Sequence, residues 1–308
     1  MPSNLSDSQN KQVQYSMIVA HHLIPGKKVF LGSRSNRLCR FCGKNSEETT
    51  FRMEAHALPE FTSNKTLIAN DECDICNERF SRTIEDHFAK YLLPYRTLCQ
   101  IPKKKGFPSH KDEKLRIDLK SSGLEIISAL DDQVVKIEED NKQVIIKAKR
   151  QPYVPIAIYK CLTKMAISIM PEEELMYFRE AITWLNMEDH SQAFFNPIKC
   201  LFAFTPGPMP YPGVFTCLLK RKVDTDPVPY MIYIVAFGNF YFQIFVPCRQ
   251  HDQRLQAKKI SLGYFLVPFD TNYRYGETDY KILDLSSKEL VRDEQVSMNM
   301  HYDSIHYL

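Results

Sequence analysis

Two cysteine pairs constrain this chain more than any other feature. Cys39-Arg40-Phe41-Cys42 and Cys73-Asp74-Ile75-Cys76 are CxxC units with 30 residues between them. Each unit turns two sulfurs toward one point from a single tight loop. Two such loops close a four-coordinate zinc site with no open position, which makes the metal structural rather than catalytic. The segment between the pairs is poor in large aliphatics, so zinc is expected to supply much of its folding energy. The other five cysteines, at 99, 161, 200, 217 and 248, stand among apolar neighbours and read as small buried hydrophobes.

Composition narrows the class. A chain of 308 residues suits two modest domains. With 44% hydrophobic residues, including 19 Phe and 16 Tyr, it has too much apolar surface to be disordered. Ten glycines exclude a collagen-like repeat. The most apolar stretch, 230–246, is interrupted by Gly238, Asn239 and Gln243 and falls short of the roughly 18 residues that cross a membrane. The N-terminus lacks the basic start and small-residue cleavage site of a secretory signal. A cytoplasmic protein without a membrane partner is therefore expected. The net charge of +3 is uninformative, but residues 1–110 carry +5 and the remainder −2. An anionic partner is expected to prefer the N-terminal third.

Four regions are expected: an N-terminal segment over 1–35, a zinc-stapled domain over 36–102, a basic Pro- and Gly-punctuated linker over 103–113, and a larger domain over 114–308. In the last, apolar residues at a spacing of two around 135–148 predict strands. Ile158, Cys161, Leu162, Met165 and Ile169 recur at helical spacing. A second helix is expected from Pro171 to about Leu185, with Glu172, Glu173 and Glu174 placed favourably in its first turn. Val214–Lys220, Met231–Phe237 and Phe240–Val246, separated by turn signals, predict an antiparallel meander. The fold class is α+β.

The residues inside the zinc bracket point to chemistry. The order is CxxC, then His56-Ala57-Leu58-Pro59, then Asn70, then CxxC followed by Asn77. This combination resembles the zinc-stapled HNH endonucleases, whose ββα-metal site reads CxxC, His-x-x-Pro, Asn and CxxC-(His/Asn). The resemblance covers about residues 36–100. The longer run from Glu54 to Tyr91 is also similar to HNH effectors of bacterial anti-phage systems, which implies a regulated defence role.

The resemblance implies a metal-dependent phosphodiesterase acting on DNA, although spacing alone does not separate DNA from RNA. His56 takes the place of the general base, after a run, Thr49–Met53, that reads as a strand. Asn70 takes the place of the residue that fixes the hairpin and orients the base; it is equally good turn chemistry. Asn77 takes the place of the last metal ligand and opens a helix expected over 77–92; it would also serve as a helix N-cap. The family often has Asp or His immediately before the base, where this chain has Ala55. Glu54 would share a face with His56 if the backbone there is extended, and so stands in as a ligand. His87, about three turns along the helix, is a further candidate ligand, with Glu85 and Asp86 as competitors. Such a donor set suits Mg²⁺ or Mn²⁺. Arg52, Lys65, Arg79 and Arg82 are candidates for contacts to backbone phosphates. Residues 114–308 hold no recognised motif and are expected to sense a signal or mediate self-association. The contrasting reading is a zinc ribbon that binds nucleic acid or protein without cutting it, and Ala55 is the residue that favours it.

Overall fold

The computed structural model describes residues 13–103, 105–121, 123–128, 134–190, 198–255, 263–268 and 275–304. In chain order its strands begin with β1 (Tyr15–Leu23), β2 (Val29–Leu31) and β3 (Leu67–Ala69). Then come β4 (His110–Lys111), β5 (Leu115–Lys120), β6 (Gly123–Ser128), β7 (Val135–Glu138) and β8 (Gln143–Lys149). The last are β9 (Lys199–Phe204), β10 (Tyr211–Arg221), β11 (Met231–Gly238), β12 (Phe240–Phe245), β13 (Asp279–Asp284) and β14 (Gln295–His301). The principal helices are α1 (Asp74–Phe80), α2 (Asp86–Leu98), α3 (Pro155–Ile169) and α4 (Arg179–Leu185). A π turn, Ser81–Glu85, joins α1 to α2.

The expected meander forms the middle of a six-stranded antiparallel sheet, ordered β1-β10-β11-β12-β9-β13. Strands β11 and β12 are buried along their whole length. Alternation then sends two apolar sets to opposite faces. Met231, Tyr233, Val235 and Phe237 enter the main core, while Ile232, Ile234 and Ala236 enter a second cluster closed by Phe265 and Val267. The two strands meet at Gly238-Asn239. Gly238 has φ +57, and a Cβ there would lie 2.4 Å from Cδ1 of Ile101, so both backbone and space require glycine. The N-terminal apolar run becomes β1, the edge strand against β10. Two three-stranded sheets, β4-β5-β6 and β14-β8-β7, pack on a separate core that includes Ile117, Ile146 and Val296.

The zinc-bracketed region packs on the large sheet through α2 and α3. Phe88 of α2 is fully buried, 5.2 Å from the Phe61 ring and 5.0 Å from the Phe242 ring of β12. One continuous core therefore holds Cys39, Phe41, Leu58 and Phe80 together with Ile158, Trp184 and Phe242. Polar contacts reinforce the junction. Nη1 of Arg40 donates to the carbonyls of Ile167 (2.7 Å) and Met170 (2.6 Å), at the end of α3 where helical geometry leaves carbonyls without partners. Nδ2 of Asn186, just past α4, donates to the Phe41 carbonyl at 2.9 Å.

Several local expectations differ from the structure. The helix expected at Asn77 starts at Asp74, because Cys73 is its N-cap and the second CxxC forms its first turn; it continues to Leu98. Thr49–Met53 is not a strand: the Asp74 carboxylate accepts from the Thr50 hydroxyl and the amides of Arg52 and Met53, which curls the segment over the start of α1. The stretch 103–113 ends in β4, where His110 is fully buried, and Lys104 lies outside the described residues. The expected second helix is split into Glu172–Leu175, a 3₁₀ turn over Met176–Phe178, and α4. Glu174 in its first turn is buried and accepts from Lys220 and the Tyr230 hydroxyl.

The shared core predicts one cooperative unfolding transition. Phe88→Ala should cost about 3–5 kcal/mol and lower that single transition rather than split it, as read by denaturant titration with zinc present. A second prediction concerns Asp252, which is 1% exposed, accepts from the Tyr230 amide at 2.8 Å and lies 3.8 Å from Nη1 of Arg221. Burial pushes its carboxyl up to about 7, against the opposing pull of that amide and of Arg221. The folded state thus holds this proton more tightly than the unfolded chain. The stability it contributes is present below the ordinary Asp range and is lost as pH rises through about 7. Asp252→Asn should flatten that part of the decline when stability is measured between about pH 5 and 8.

Candidate active site

The four cysteine sulfurs, supplied by the loop at 39–42 and the start of α1, lie within 4.8 Å of one another. Cys42 Sγ and Cys73 Sγ are 3.7 Å apart. A tetrahedral site with Zn–S bonds of about 2.3 Å has edges of about 3.8 Å, so the donors already stand at ligand spacing. Cys39, Cys73 and Cys76 are buried and Cys42 is exposed. The Cys73 amide donates to Cys39 Sγ at 3.4 Å, and Nη2 of Arg79 donates to Cys76 Sγ at 3.1 Å; such donors orient and stabilise thiolates. A hydrogen bond from Cys76 holds the Cys39 thiol down at about 4, while partial desolvation and the neighbouring Cys39 sulfur push Cys42 up to about 11. Four clustered sulfurs do not all ionise unless a cation compensates them, and that donor chemistry fits zinc.

Between the cysteine loops, residues 55–57 run antiparallel to β3. The Ala57 amide donates to the Leu67 carbonyl at 3.1 Å, the Ala69 amide donates to the Ala55 carbonyl at 2.8 Å, and His56 faces Ile68 across the pair. Alternation sorts the side chains: Ala55 and Ala57 are buried, while Glu54 and His56 turn outward together. The loop of this hairpin is fixed by Asn64, which is fully buried. Its Oδ1 accepts from the amides of Thr66 and Leu67, and its Nδ2 donates to the carbonyls of Leu58 and Leu67. The sequence reading assigned no role to Asn64; an asparagine bonding its own turn was the available signal. Asn70 directly follows β3. Its amide donates to the Leu31 carbonyl and its Nδ2 to the Gly32 carbonyl at 3.3 Å, tying β3 to the end of β2.

His56 and Asn77 border one open cleft of about 730 Å³, with Glu54, Glu60, Glu85 and Asp86 around them. Asn77 is inside α1, its amide donating to the Cys73 carbonyl at 2.9 Å, so it is not the N-cap. Glu60 was missed. It opens a 3₁₀ turn directly after Pro59 and brings Oε1 to 3.7 Å from Nε2 of His56. A carboxylate four residues after the histidine was its sequence signal. Glu54 accepts from Nζ of Lys28 at 2.7 Å. A smaller recess of about 370 Å³ adjoins, shared by His56, Glu54, Lys28 and Lys65.

His87 is not brought to this cleft. Its Nδ1 accepts from the Val154 amide at 3.2 Å and its ring meets His190 edge-on at 6.2 Å, while burial lowers its pKa. The π turn inserts a residue into the helical repeat and changes which side chains face the hairpin; Glu85 and Asp86 do so instead. Arg79 is also turned inward, with Nη2 donating to Asn186 Oδ1 at 2.6 Å as well as to Cys76. Arg52 and Lys65 are exposed, and Arg82 is exposed at the cleft with Glu188 beside it. Among the described residues, the cysteines form the one group of three or more His, Cys, Asp or Glu donors at ligand spacing. The cleft carboxylates are more loosely arranged.

Residues 39–93 match the family model described as HNH endonuclease. The matched span contains both cysteine loops, the hairpin, α1 and the first part of α2. No curated protein and no solved structure gives a match to this chain. The family match and the cysteine cluster define an N-terminal HNH endonuclease domain, which implies nuclease activity and a nucleic-acid substrate. Among the described residues, no helix is long and apolar enough to cross a membrane.

Because two ligands sit on the first turn of α1, loss of one removes metal and helix start together. Cys73→Ser should bind less zinc and show selective loss of protection over residues 36–102 in hydrogen exchange. Normal zinc content and unchanged exchange in that variant would refute the structural-zinc assignment.

Proposed function

We propose that this chain is a metal-dependent HNH endonuclease that hydrolyses DNA phosphodiester bonds with His56 as general base. The observation that supports it is the convergence of His56, from the hairpin, and Asn77, from the helix, on one acidic cleft beside the cysteine cluster. Hydrolysis needs a base for the attacking water and positive charge for the departing oxygen. Neutral imidazole at His56 takes the water's proton. Glu60, 3.7 Å from Nε2, steadies the imidazolium that forms. Glu54 and Asn77 would hold Mg²⁺ or Mn²⁺, with Glu54 exchanging its Lys28 partner for the ion. When bound, that cation supplies charge stabilisation to the scissile phosphate. The exposed Arg52, Lys65 and Arg82 would meet flanking phosphates, Lys65 from the recess and Arg82 from the cleft, giving salt-dependent binding with little sequence preference.

The zinc thiolates suit a reducing cytoplasm. A regulated role in defence against phage rests on the resemblance of the Glu54–Tyr91 run. Residues 114–308 would provide the regulation, through a signal or self-association. One observation favours the contrasting reading of a non-cleaving zinc ribbon: Ala55 is buried where the family often carries a metal ligand.

A supercoiled-plasmid nicking assay separates the two. With Mg²⁺ or Mn²⁺ the wild type should nick, EDTA should abolish nicking, and His56→Ala should lose about 100-fold or more in rate with an unchanged melting curve. Equal nicking by both proteins would remove His56 from the mechanism. No nicking by the wild type would leave two readings, the binding module or a nuclease held off by residues 114–308.

A further inference from the structure

We propose that Lys164, which lies on α3 and outside the HNH-matched span, is a positioning residue of the nuclease site. Its side chain is fully buried. Nζ donates to the backbone carbonyl of His56 at 3.1 Å and stands 2.9 Å from the Glu72 carboxylate and 3.4 Å from that of Glu85. An ammonium has three donors, and here three acceptors surround it. Two of the three, His56 and Glu85, belong to segments that line the cleft. His56 is on the hairpin, Glu72 is in the turn leading into α1, and Glu85 closes the π turn that forms the cleft wall.

The hairpin explains why an outside donor is needed. The Ala55 carbonyl and the Ala57 amide bond β3, so the His56 carbonyl between them points away from that strand. Lys164 bonds this carbonyl on the hairpin's other side. A buried ammonium is a poor choice for stability alone, since an apolar side chain of similar size commonly does as well. Neighbours on the same helix, Cys161, Leu162, Met165 and Ile167, are apolar and fully buried. The charge instead fixes relative position: it sets the backbone of the base against the helix that carries Asn77 and Glu85. The nuclease site is then completed by a part of the chain beyond residues 39–93.

The kinetic consequence rests on the nuclease reading above, whereas the effect on the hairpin does not. Lys164→Met leaves Glu72 and Glu85 without their cation and risks misfolding. The double variant Lys164→Met/Glu72→Gln keeps the wild-type net charge of the cluster, with the partly exposed Glu85 as its one remaining carboxylate, while still withholding the donor from His56. In the double variant, full zinc content and a cooperative melt are expected. Exchange of the Ala57 and Ala69 amides should be faster, kcat for plasmid nicking should fall about tenfold or more, and KM should stay within about twofold. If the wild type does not cut, faster exchange confined to the hairpin still supports Lys164 as its anchor. Unchanged hairpin exchange and unchanged kcat in a folded variant overturn the proposal. Loss of zinc and of the cooperative melt in both variants also overturns it, because Lys164 then serves the fold alone.

Discussion

Closure of four sulfurs around one point is the constraint on which the nuclease region depends. It sets where α1 begins, since Cys73 is the N-cap and Cys76 lies in the first turn. It sets the direction in which that helix leaves, and with it the place of Asn77 and Glu85. The same loop presents Arg40 and Phe41 to the ends of α3 and α4. A site built from a few polar side chains on short elements is held at one end by this clamp and at the other by the core it shares with the sheet.

The second organising feature is a sheet that is apolar on both faces. Strands β11 and β12 need a cover on each side, and α2 and α3 supply one of them. The nuclease helix is thereby part of the main core: Phe88 touches both the hairpin loop, at Phe61, and the sheet, at Phe242. Charged groups at this junction are few and paired, as expected where desolvation is costly. Arg40 meets helix-end carbonyls and Asp71, Arg79 meets Asn186 and a cysteine sulfur, and Lys164 meets two carboxylates and the His56 carbonyl.

The cleft itself is sparse. It offers one imidazole, one carboxamide and several carboxylates without a preformed cage. Two of the expected participants are engaged elsewhere, His87 by the Val154 amide and Arg79 by the Cys76 sulfur. Two unexpected residues take positions of consequence. Asn64 locks the hairpin loop, and Glu60 stands against His56.

The amino-acid sequence determined a great deal by itself. CxxC spacing is a local property, so the cysteine cluster was legible, as were the His56-x-x-Pro59 motif and the meander, whose alternation and turn residues are local too. Apolar patterning around 135–148 and 158–169 reported β7, β8 and α3 for the same reason. What tertiary structure alone decided involves contacts between distant residues. The Tyr15–Ile24 run is only an apolar patch until β10 offers it an edge. The rotation of His87 away from the cleft depends on a π turn that no periodicity announces. Lys164 reads as an interruption in an apolar helix until His56, 108 residues earlier, is seen to accept its hydrogen bond. Local chemistry is written in neighbouring residues, whereas the partner of a buried charge is set by how the whole chain packs.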